Sequence, residues 1–172
     1  MVDGLYGTIH TPYAVFSDDM YDGITEVKKQ VKDTTMILNS IASGDNVCAS
    51  ADYQKNRGKI LDTGISLYEY RGKHSTHGKS IVIHDDIAGG GSYNFDCRST
   101  YVDTETMLVV QGKEITKQLE EDFSRLKSGS LKVNQDGSYQ NDKDVAERTM
   151  DSKKQGMIKI LSYIIQAFRY LA

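Results

Sequence analysis

Residues 77–99 read HGKSIVIHDDIAGGGSYNFDCRS and place chemically active side chains around two short apolar runs. His77 and Lys79 stand two positions apart at the start of the run KSIVIH, so a regular strand directs both side chains to one face. After the glycines, Ser92 and Asn94 are again two positions apart. The spacing predicts two adjacent strands that bring an imidazole, an ammonium, a hydroxyl and a carboxamide together.

These four groups suit the chemistry of a phosphodiester. An imidazole can attack phosphorus or protonate a leaving oxygen, while an ammonium and an amide neutralise the charge on the other phosphate oxygens. Glycines such as Gly91 allow the backbone to approach a ligand closely. A structural or exposed histidine is the alternative, because Gly-Gly-Gly-Ser has neither a P-loop lysine nor a dinucleotide fingerprint.

The segments on either side alternate between β-type runs and helical patterns. The predicted elements are strands over 5–10 and 13–16, a helix over 17–33, a strand over 34–39, a helix over 50–64, strands over 65–70, 79–84, 89–95 and 105–111, and a helix over 113–127. This order predicts the α/β class, with a mixed, mostly parallel β-sheet flanked by helices in an α-β-α sandwich.

The 172 residues fit one domain with a single core. Its main part is expected over 1–127, followed by a polar loop region over 128–150 and an amphipathic helix over 151–172. One face of that helix is apolar and comprises Met157, Ile160, Leu161, Ile164, Phe168 and Leu171. The opposite face carries Lys159, Ser162, Gln166 and Arg169. Two interpretations stay open, a helix packed on the core and a helix lying on an anionic membrane surface.

Charge and composition make other classes of function less favourable. The formal net charge of −3 provides no global basic field, so nucleic acid is not the first choice of partner. The two cysteines, Cys48 and Cys97, form no disulfide framework, which favours a reducing compartment. His74 and His77 form an H-x-x-H pair without a cysteine at ligand spacing, so no metal site is predicted. The sequence contains neither a signal-peptide pattern nor an apolar run long enough to span a bilayer.

The order of residues from His77 is more specific than any of these features. It runs H-x-K, four residues, position 84, six residues, and then Gly91-Ser92-Tyr93-Asn94. This order resembles the HxKx4Dx6GSxN signature of the phospholipase D superfamily. The stretches HTPYAVFSDDMYDGI, LDTGISLYEY and NFDCRSTYVDTE are similar to parts of the C-terminal half of bacterial cardiolipin synthases. The resemblance covers roughly residues 8–125.

The resemblance implies phosphatidyl transfer or phosphodiester hydrolysis on a phosphatidylglycerol-like phospholipid, through a phosphohistidine and without a metal or organic cofactor. The resemblance makes His77 the general acid and base. It also implies that Lys79 and Asn94 bind the phosphate oxygens, with Ser92 assisting. It makes Glu105 a carboxylate that orients an imidazole.

The family pattern also includes Gly91, Asp96 and Arg98, and we interpret the last two as an ion pair that supports the active-site loop. The resemblance also implies a peripheral position of the protein at the cytoplasmic face of a membrane, with the C-terminal helix on the membrane surface.

The sequence departs from the family pattern in three ways. His84 stands where the family has an aspartate, which predicts a less well-held turn and a gain in stability for His84→Asp. The run IAGGG replaces an apolar run, which should loosen that strand. The chain has one motif where family members have two facing each other, so a homodimer sharing one site or a missing N-terminal half is implied. The alternatives are an inactive half-domain and a dimeric nuclease-like phosphodiesterase.

Overall fold

A mixed sheet with helices on both faces organises the chain. The computed structural model describes residues 5–140, 145–146 and 149–171, with the side chains of 170 and 171 left out. The strands are β1 (Tyr6–His10), β2 (Ala14–Val15), β3 (Asp33–Asn39), β4 (Ser66–Tyr70), β5 (Ser80–Ile83), β6 (Ile87–Gly91), β7 (Phe95–Asp96), β8 (Met107–Gln111) and β9 (Ser130–Lys132). The helices are α1 (Asp18–Gln30), α2 (Val47–Asp62), α3 (Cys97–Tyr101), α4 (Lys113–Ser128) and α5 (Ser152–Ile164), and a 3-10 segment follows over Ile165–Leu171.

The seven-stranded sheet has the order β8-β6-β5-β1-β3-β4-β9. At its centre β1 pairs with β3, and β3 with β4, in parallel. The strands outside these three join in antiparallel fashion. A separate parallel pair, β2 with β7, places Asp96 beside Val15. The α/β class with a mixed sheet is therefore confirmed.

The core has two main layers, one on each face of the sheet. Ile9, Met36 and Leu38 point towards α1 and α2, where Ile24 and Ile60 are buried against them. On the other face, Ile37 and Val82 pack against Phe123 of α4. Because central strands are covered on both sides, they read as nearly continuous apolar runs in the sequence.

Local capping determines where the first two helices begin. Ser17 caps α1 by accepting a hydrogen bond from the Met20 N–H at 3.3 Å, a role in which serine is favoured. The α2 helix begins at Val47, three residues before its predicted start. Asn46 causes the difference, because its Oδ1 accepts from the Ala49 N–H at 3.0 Å.

The prediction of a polar loop over 128–150 is wrong in its first part. Ser130–Lys132 forms the edge strand β9, in which Leu131 is buried. The chain then turns back, and the Tyr139 hydroxyl donates to Glu69 Oε2 at 2.8 Å. Glu69 of β4 is fully buried and also accepts from Arg57 Nη1 at 2.9 Å. A buried carboxylate needs such partners, so this segment belongs to the packed structure. Residues 141–144 and 147–148 lie outside the described residues.

The C-terminal helix packs through a face that the sequence did not indicate. Ile158, Ser162 and Ile165 are buried, whereas Ile160 and Phe168 are 65% and 54% exposed. The helix therefore packs on the core, as one of the two open interpretations held, but through another face, and the predicted apolar face points largely away from the core. The described part of the chain contains no helix that is both long and apolar enough to cross a membrane.

An ion pair fixes this unexpected orientation. Arg169, which the sequence placed on the polar face, lies 2.9 Å through its Nε from Oδ1 of the fully buried Asp52. The Arg169 Nη2 also donates to the carbonyl oxygen of Phe16. The helix therefore joins α2 and the start of α1 instead of forming a separate part of the molecule.

The variant Arg169→Ala should lose about 3–5 kcal/mol in free energy of unfolding, because it leaves the Asp52 carboxylate buried without its cation. Urea unfolding followed by circular dichroism measures the change. Arg125→Ala provides a matched control, since Arg125 pairs with Asp122 on the surface with a side chain that is 76% exposed. Equal losses for the two variants would contradict the anchoring role of Arg169.

Position 84 lies in the tight turn between β5 and β6. His84 has a φ of 55°, in the left-handed region that disfavours most side chains. Its backbone N–H donates to the Tyr6 carbonyl oxygen at 2.9 Å, and its Nδ1 lies 3.4 Å from Asp85 Oδ1. The whole of β5 separates His84 from Lys79, so His84 belongs to the turn.

Replacing His84 with Asp or Asn should raise the melting temperature, because short polar side chains hydrogen-bond locally in this conformation. One hydrogen bond contributes about 0.5–1.5 kcal/mol, and a chain of this size gains about 2–4 °C per kcal/mol. His84→Asn should gain more than His84→Asp, which adds a carboxylate beside Asp85 and Asp86. Thermal unfolding measures both, and no gain in either variant would show that histidine suits this turn.

Candidate active site

The candidate site lies where the parallel strands β1 and β3 end and the chain enters β5. Asn39, buried at the end of β3, binds the backbone of Thr76 twice. Its Nδ2 donates to the Thr76 carbonyl oxygen at 2.8 Å, and its Oδ1 accepts from the Thr76 N–H at 2.8 Å. His10, at the end of β1, places Nε2 2.9 Å from the Thr76 hydroxyl. These two residues hold the segment that leads directly into His77.

His10 also lies directly beneath the motif. A Cβ on Gly78 would come within 2.7 Å of the His10 ring carbon Cε1, so glycine permits this close approach. Burial lowers the pKa of His10 to about 4, and the positive charge of Lys79 acts in the same direction. His10 is therefore neutral near pH 7, and its imidazole supports the loop through one hydrogen bond.

The structure corrects the predicted strand that carries the motif. β5 begins at Ser80, so His77 and Lys79 lie in the loop before it and strand alternation does not determine their directions. Lys79 Nζ donates to the His77 carbonyl oxygen at 2.9 Å. The His77 side chain is exposed, and its ring meets that of Tyr13 edge-on at 5.9 Å. The two motif residues are therefore neighbours at the sheet edge, although not on one strand.

Lys79 is half-buried among carboxylates from three different segments. Burial lowers its pKa, and Glu105, Asp96 and Asp45 act to raise it. Glu105 precedes β8, Asp96 ends β7, and Asp45 lies in the loop between β3 and α2. A cation held among acids from separate segments is typical of a site built by the tertiary fold.

Asp45 is the functional candidate that the sequence did not reveal. The Tyr13 hydroxyl donates to Asp45 Oδ1 at 2.9 Å. Burial acts to raise the pKa of Asp45, but hydrogen bonds from Tyr13, its own backbone and Ser75, with the charge of His77, hold it below its usual range. Asp45 is thus an ionised carboxylate near the exposed imidazole of His77. This residue lies between the predicted strand over 34–39 and the predicted helix over 50–64, where no motif marks it.

Asn94 and Asp96 are positioned by the short helix α3. Asp96 is buried and caps that helix, where its Oδ1 accepts from the Ser99 N–H at 2.6 Å. Burial raises the pKa of Asp96, and the bonds from Ser99 oppose this effect. Asn94 donates through its backbone N–H and through Nδ2 to the Ser99 hydroxyl, at 3.3 Å each. The Asn94 Oδ1 has no hydrogen-bond partner within the described structure.

The predicted strand over 89–95 is displaced, because the three glycines end β6 at Gly91 instead of beginning a strand. A Cβ on Gly91 would lie 2.0 Å from the Thr106 carbonyl oxygen, so glycine allows close approach of β8 rather than of a ligand. Ser92 is bound to the same partner, since its Oγ accepts from the Thr106 N–H at 3.0 Å. Ser92 thus holds the segment that carries Glu105.

The predicted ion pair between Asp96 and Arg98 is wrong. Arg98 Nε instead lies 2.9 Å from Asp103 Oδ2, because Asp96 is directed inwards as a helix cap. The Arg98 side chain is 57% exposed. It stabilises the end of α3 and does not enter the candidate site.

This arrangement can bind and transform an anionic phosphodiester. It combines the exposed imidazole of His77 with the half-buried ammonium of Lys79 near the carboxyl ends of β1 and β3, whereas the Asn94 carboxamide is bound to Ser99. His10 and Asn39 could have been suspected from sequence, because polar residues that end parallel strands commonly face ligands. Across the residues described, no three His, Cys, Asp or Glu side chains are grouped as metal ligands.

Comparison with known families identifies the class of protein to which this fold belongs. The profile of the family described as "Cardiolipin synthase, PLD-like domain" matches residues 6–127. Because this match covers more than half of the chain, the protein belongs to the cardiolipin synthase-type, phospholipase D-like domain family.

The chain is also similar to individual proteins. It is 27% identical to cardiolipin synthase A of Buchnera aphidicola subsp. Baizongia pistaciae over 112 residues, which are 65% of this chain and 22% of that protein. The chain spans about a fifth of the length of such curated relatives.

Two solved structures share the fold at low sequence identity. The phospholipase D family member Nuc from Salmonella typhimurium matches with a TM-score of 0.58 and 17% identity, over 76% of this chain and 81% of that one. Phosphatidylserine synthase from Haemophilus influenzae Rd KW20 matches with a TM-score of 0.70 and 14% identity, over 97% of this chain and 42% of that one. At these identities the likeness establishes the fold alone.

The buried imidazole of His10 should make the free energy of unfolding depend on pH. Its folded-state pKa of about 4 lies below the value of about 6.5 in an unfolded chain. The unfolded state therefore binds the proton first, and stability present above pH ~6.5 is lost as the pH falls towards ~4, by up to roughly 1.4 kcal/mol per pH unit.

Urea unfolding between about pH 7.5 and pH 4.5 covers this window. His10→Gln keeps a hydrogen-bonding group near Thr76 but does not titrate, so its stability should fall less steeply. His74→Gln changes an exposed histidine of the same loop and should follow the wild type. A His10→Gln profile as steep as that of the wild type would contradict a neutral buried imidazole.

Proposed function

We propose that the chain is one catalytic half of a phospholipase D-type phosphodiesterase or phosphatidyltransferase acting on phospholipid. The observation that carries the proposal is the exposed imidazole of His77 beside the half-buried ammonium of Lys79 at the sheet edge. An exposed nucleophile next to a partly desolvated cation matches what phosphoryl transfer requires. Cardiolipin synthases among the relatives support a phospholipid substrate.

The reaction uses two imidazoles on opposite sides of phosphorus. A ring nitrogen of the first attacks phosphorus, and the bond to the leaving alcohol oxygen breaks as the second imidazole gives it a proton. The second imidazole then takes a proton from water or an acceptor alcohol, whose oxygen displaces the first imidazole. Lys79 and Asn94 stabilise the charge on the phosphate oxygens, and Glu105 and Asp45 orient the charged groups.

The second imidazole has to come from a partner. None of the other three histidines stands in a motif like that of His77: His10 is buried and bound to Thr76, His84 lies at the far end of β5, and His74 is an exposed residue of the loop before the motif. A second copy of the chain related by a two-fold axis, or a partner half carrying its own motif, would complete the site. The exposed apolar side chains of Ile160 in α5 and Phe168 in the following 3-10 segment support a peripheral position on a membrane surface, which we place at the cytoplasmic face.

His77→Ala should lower turnover by about 10²–10⁴-fold, the usual contribution of an acid–base group. Hydrolysis of bis(p-nitrophenyl) phosphate measures the chemical step, and conversion of phosphatidylglycerol vesicles measures action on lipid. His74→Ala is the matched control, because His74 is an exposed histidine three positions earlier in the same loop. Unchanged turnover in the His77→Ala protein would contradict the assignment.

Mixing wild-type and His77→Ala proteins tests the need for two motifs in an active homodimer. If both copies contribute an imidazole to one site, activity should fall with the square of the wild-type fraction. A linear fall, or full activity in demonstrably monomeric protein, would mean that one motif suffices. Wild-type protein that is inactive alone should gain activity when a partner half is added.

A further inference from the structure

Tyr13 contacts two members of the candidate site at once. Its ring meets the His77 imidazole edge-on, with the ring centroids 5.9 Å apart and the ring planes at 72°. This separation and angle are those that aromatic pairs prefer. The Tyr13 hydroxyl at the same time donates to Asp45 Oδ1 at 2.9 Å. One side chain therefore links the exposed imidazole to a carboxylate from another segment of the chain.

The backbone next to Tyr13 and the backbone next to His77 are held by the same buried amide. Asn39 Nδ2 donates to the Pro12 carbonyl oxygen at 3.2 Å and to the Thr76 carbonyl oxygen at 2.8 Å. Pro12 directly precedes Tyr13, and Thr76 directly precedes His77. Because both attachment points share one buried partner, the fold determines how far apart the two rings begin.

The Tyr13 hydroxyl is suited to hold Asp45 and not to exchange protons with a substrate. Burial raises the pKa of Tyr13 to about 12, and the hydrogen bond to Asp45 and the charge of that carboxylate act in the same direction. The hydroxyl therefore keeps its proton near pH 7 and remains a donor to Asp45. The ring also packs against the cluster of Val15, Ala49 and Cys97, which restricts its movement.

We infer that Tyr13 is a positioning residue of the candidate site, which orients the His77 imidazole through its ring and holds Asp45 through its hydroxyl. An exposed imidazole without such a neighbour would sample several rotamers. Misplacing a reacting group by about 1 Å can lower a rate on the order of a hundredfold. The effect on catalysis rests on the proposed function, whereas the orientation of His77 is a property of the folded chain alone.

A second tyrosine provides a matched control, because Tyr6 makes the same two kinds of contact away from the site. Its ring meets that of His84 edge-on, with centroids 5.6 Å apart and planes at 68°. Its hydroxyl donates to the Glu120 carboxylate, and burial with that contact raises the pKa of Tyr6 to about 12. Variants of Tyr6 thus remove equivalent contacts without touching His77.

NMR spectra of the full chain with labelled histidine and tyrosine rings read out the orientation without turnover. The wild type should show a nuclear Overhauser effect between the ring protons of Tyr13 and His77. Tyr13→Leu should shift the ring signals of His77 and leave those of His84 in place, and Tyr6→Leu should do the reverse. A wild-type protein without the Tyr13–His77 effect would overturn the inference, even if Tyr13→Leu does not fold.

Tyr13→Phe keeps the ring and removes only the hydrogen bond to Asp45. Burial acts to raise the pKa of Asp45, and Tyr13 is among the donors that hold this pKa below its usual range. Loss of the hydroxyl should therefore raise the pKa of Asp45, measured by titrating its carboxyl carbon signal, while the ring signals of His77 stay close to those of the wild type. Tyr6→Phe should leave the Asp45 titration unchanged. Equal Asp45 titrations in Tyr13→Phe and the wild type would overturn the role of the hydroxyl.

Hydrolysis of bis(p-nitrophenyl) phosphate then separates positioning from stability. Tyr13→Leu should lower kcat by about tenfold to a hundredfold with KM nearly unchanged, because orientation acts in the transition state. Tyr13→Phe should recover most of the loss, and Tyr6→Leu should keep the wild-type kcat. Equal losses for Tyr13→Leu and Tyr6→Leu, or a loss confined to KM, would overturn the catalytic part of the inference. If His77→Ala leaves turnover unchanged, the proposed function fails, and the NMR signals decide separately whether Tyr13 orients His77.

Discussion

The candidate site depends on the paired hydrogen bonds between the Asn39 side chain and the backbone of Thr76. Asn39 is 4% exposed, so its amide cannot exchange these bonds for water without leaving buried polar groups unpaired, at about 1–3 kcal/mol each. It donates further to the Pro12 carbonyl oxygen at 3.2 Å. One side chain thereby joins the ends of β1 and β3 to the loop before His77. The loop that carries His77 and Lys79 is positioned by these hydrogen bonds and by His10, and β5 begins only after this loop.

The glycine strand β6 has two separate consequences. At Gly91 the absence of a side chain lets β8 approach closely enough for Ser92 to bind the backbone of Thr106. This contact brings the segment with Glu105 to Lys79. At Gly90 the same absence leaves open space in front of α4. An apolar strand of ordinary side chains would fill this space and hold β8 away from Ser92, so both features follow from one run of small residues.

Sequence reasoning succeeded where the information is local. Periodicity located the longer helices, as the match between α4 (Lys113–Ser128) and the predicted helix over 113–127 illustrates. The fixed offsets of the motif selected His77 and Lys79, which the structure places together in the loop before β5. Sequence reasoning failed for residues whose contacts lie far away in the sequence. Asp45 and Asn39 carry no motif, and only the parallel arrangement of β1, β3 and β4 brings their loops to the motif. Alternation also assumed a regular strand through Lys79, but β5 begins only at Ser80, and Asn39 and His10 hold Thr76 in the loop before it.

The C-terminal helix shows why amphipathic character alone does not determine packing. Its broad apolar stripe would bury more surface than the narrow face with Ile158 and Ile165, yet the narrow face is inside. The buried Asp52 explains the choice, because a carboxylate without a cation in the core costs more than an exposed apolar stripe. Arg169 supplies that cation and sets the rotation of the helix.

The first turn of the same helix then meets the site. Lys154 Nζ donates to the carbonyl oxygens of Ala42 and Gly44, at 3.2 and 2.8 Å, in the loop that carries Asp45. The ion pair in the core thus has an effect at the surface: it turns α5 so that its N-terminus braces this loop while Ile160 and Phe168 face outwards. A helix rotated to bury its broad apolar stripe would move Arg169 away from Asp52 and Lys154 away from the loop. The same rotation therefore determines the ion pair in the core, the support of the loop and the exposure of the apolar face.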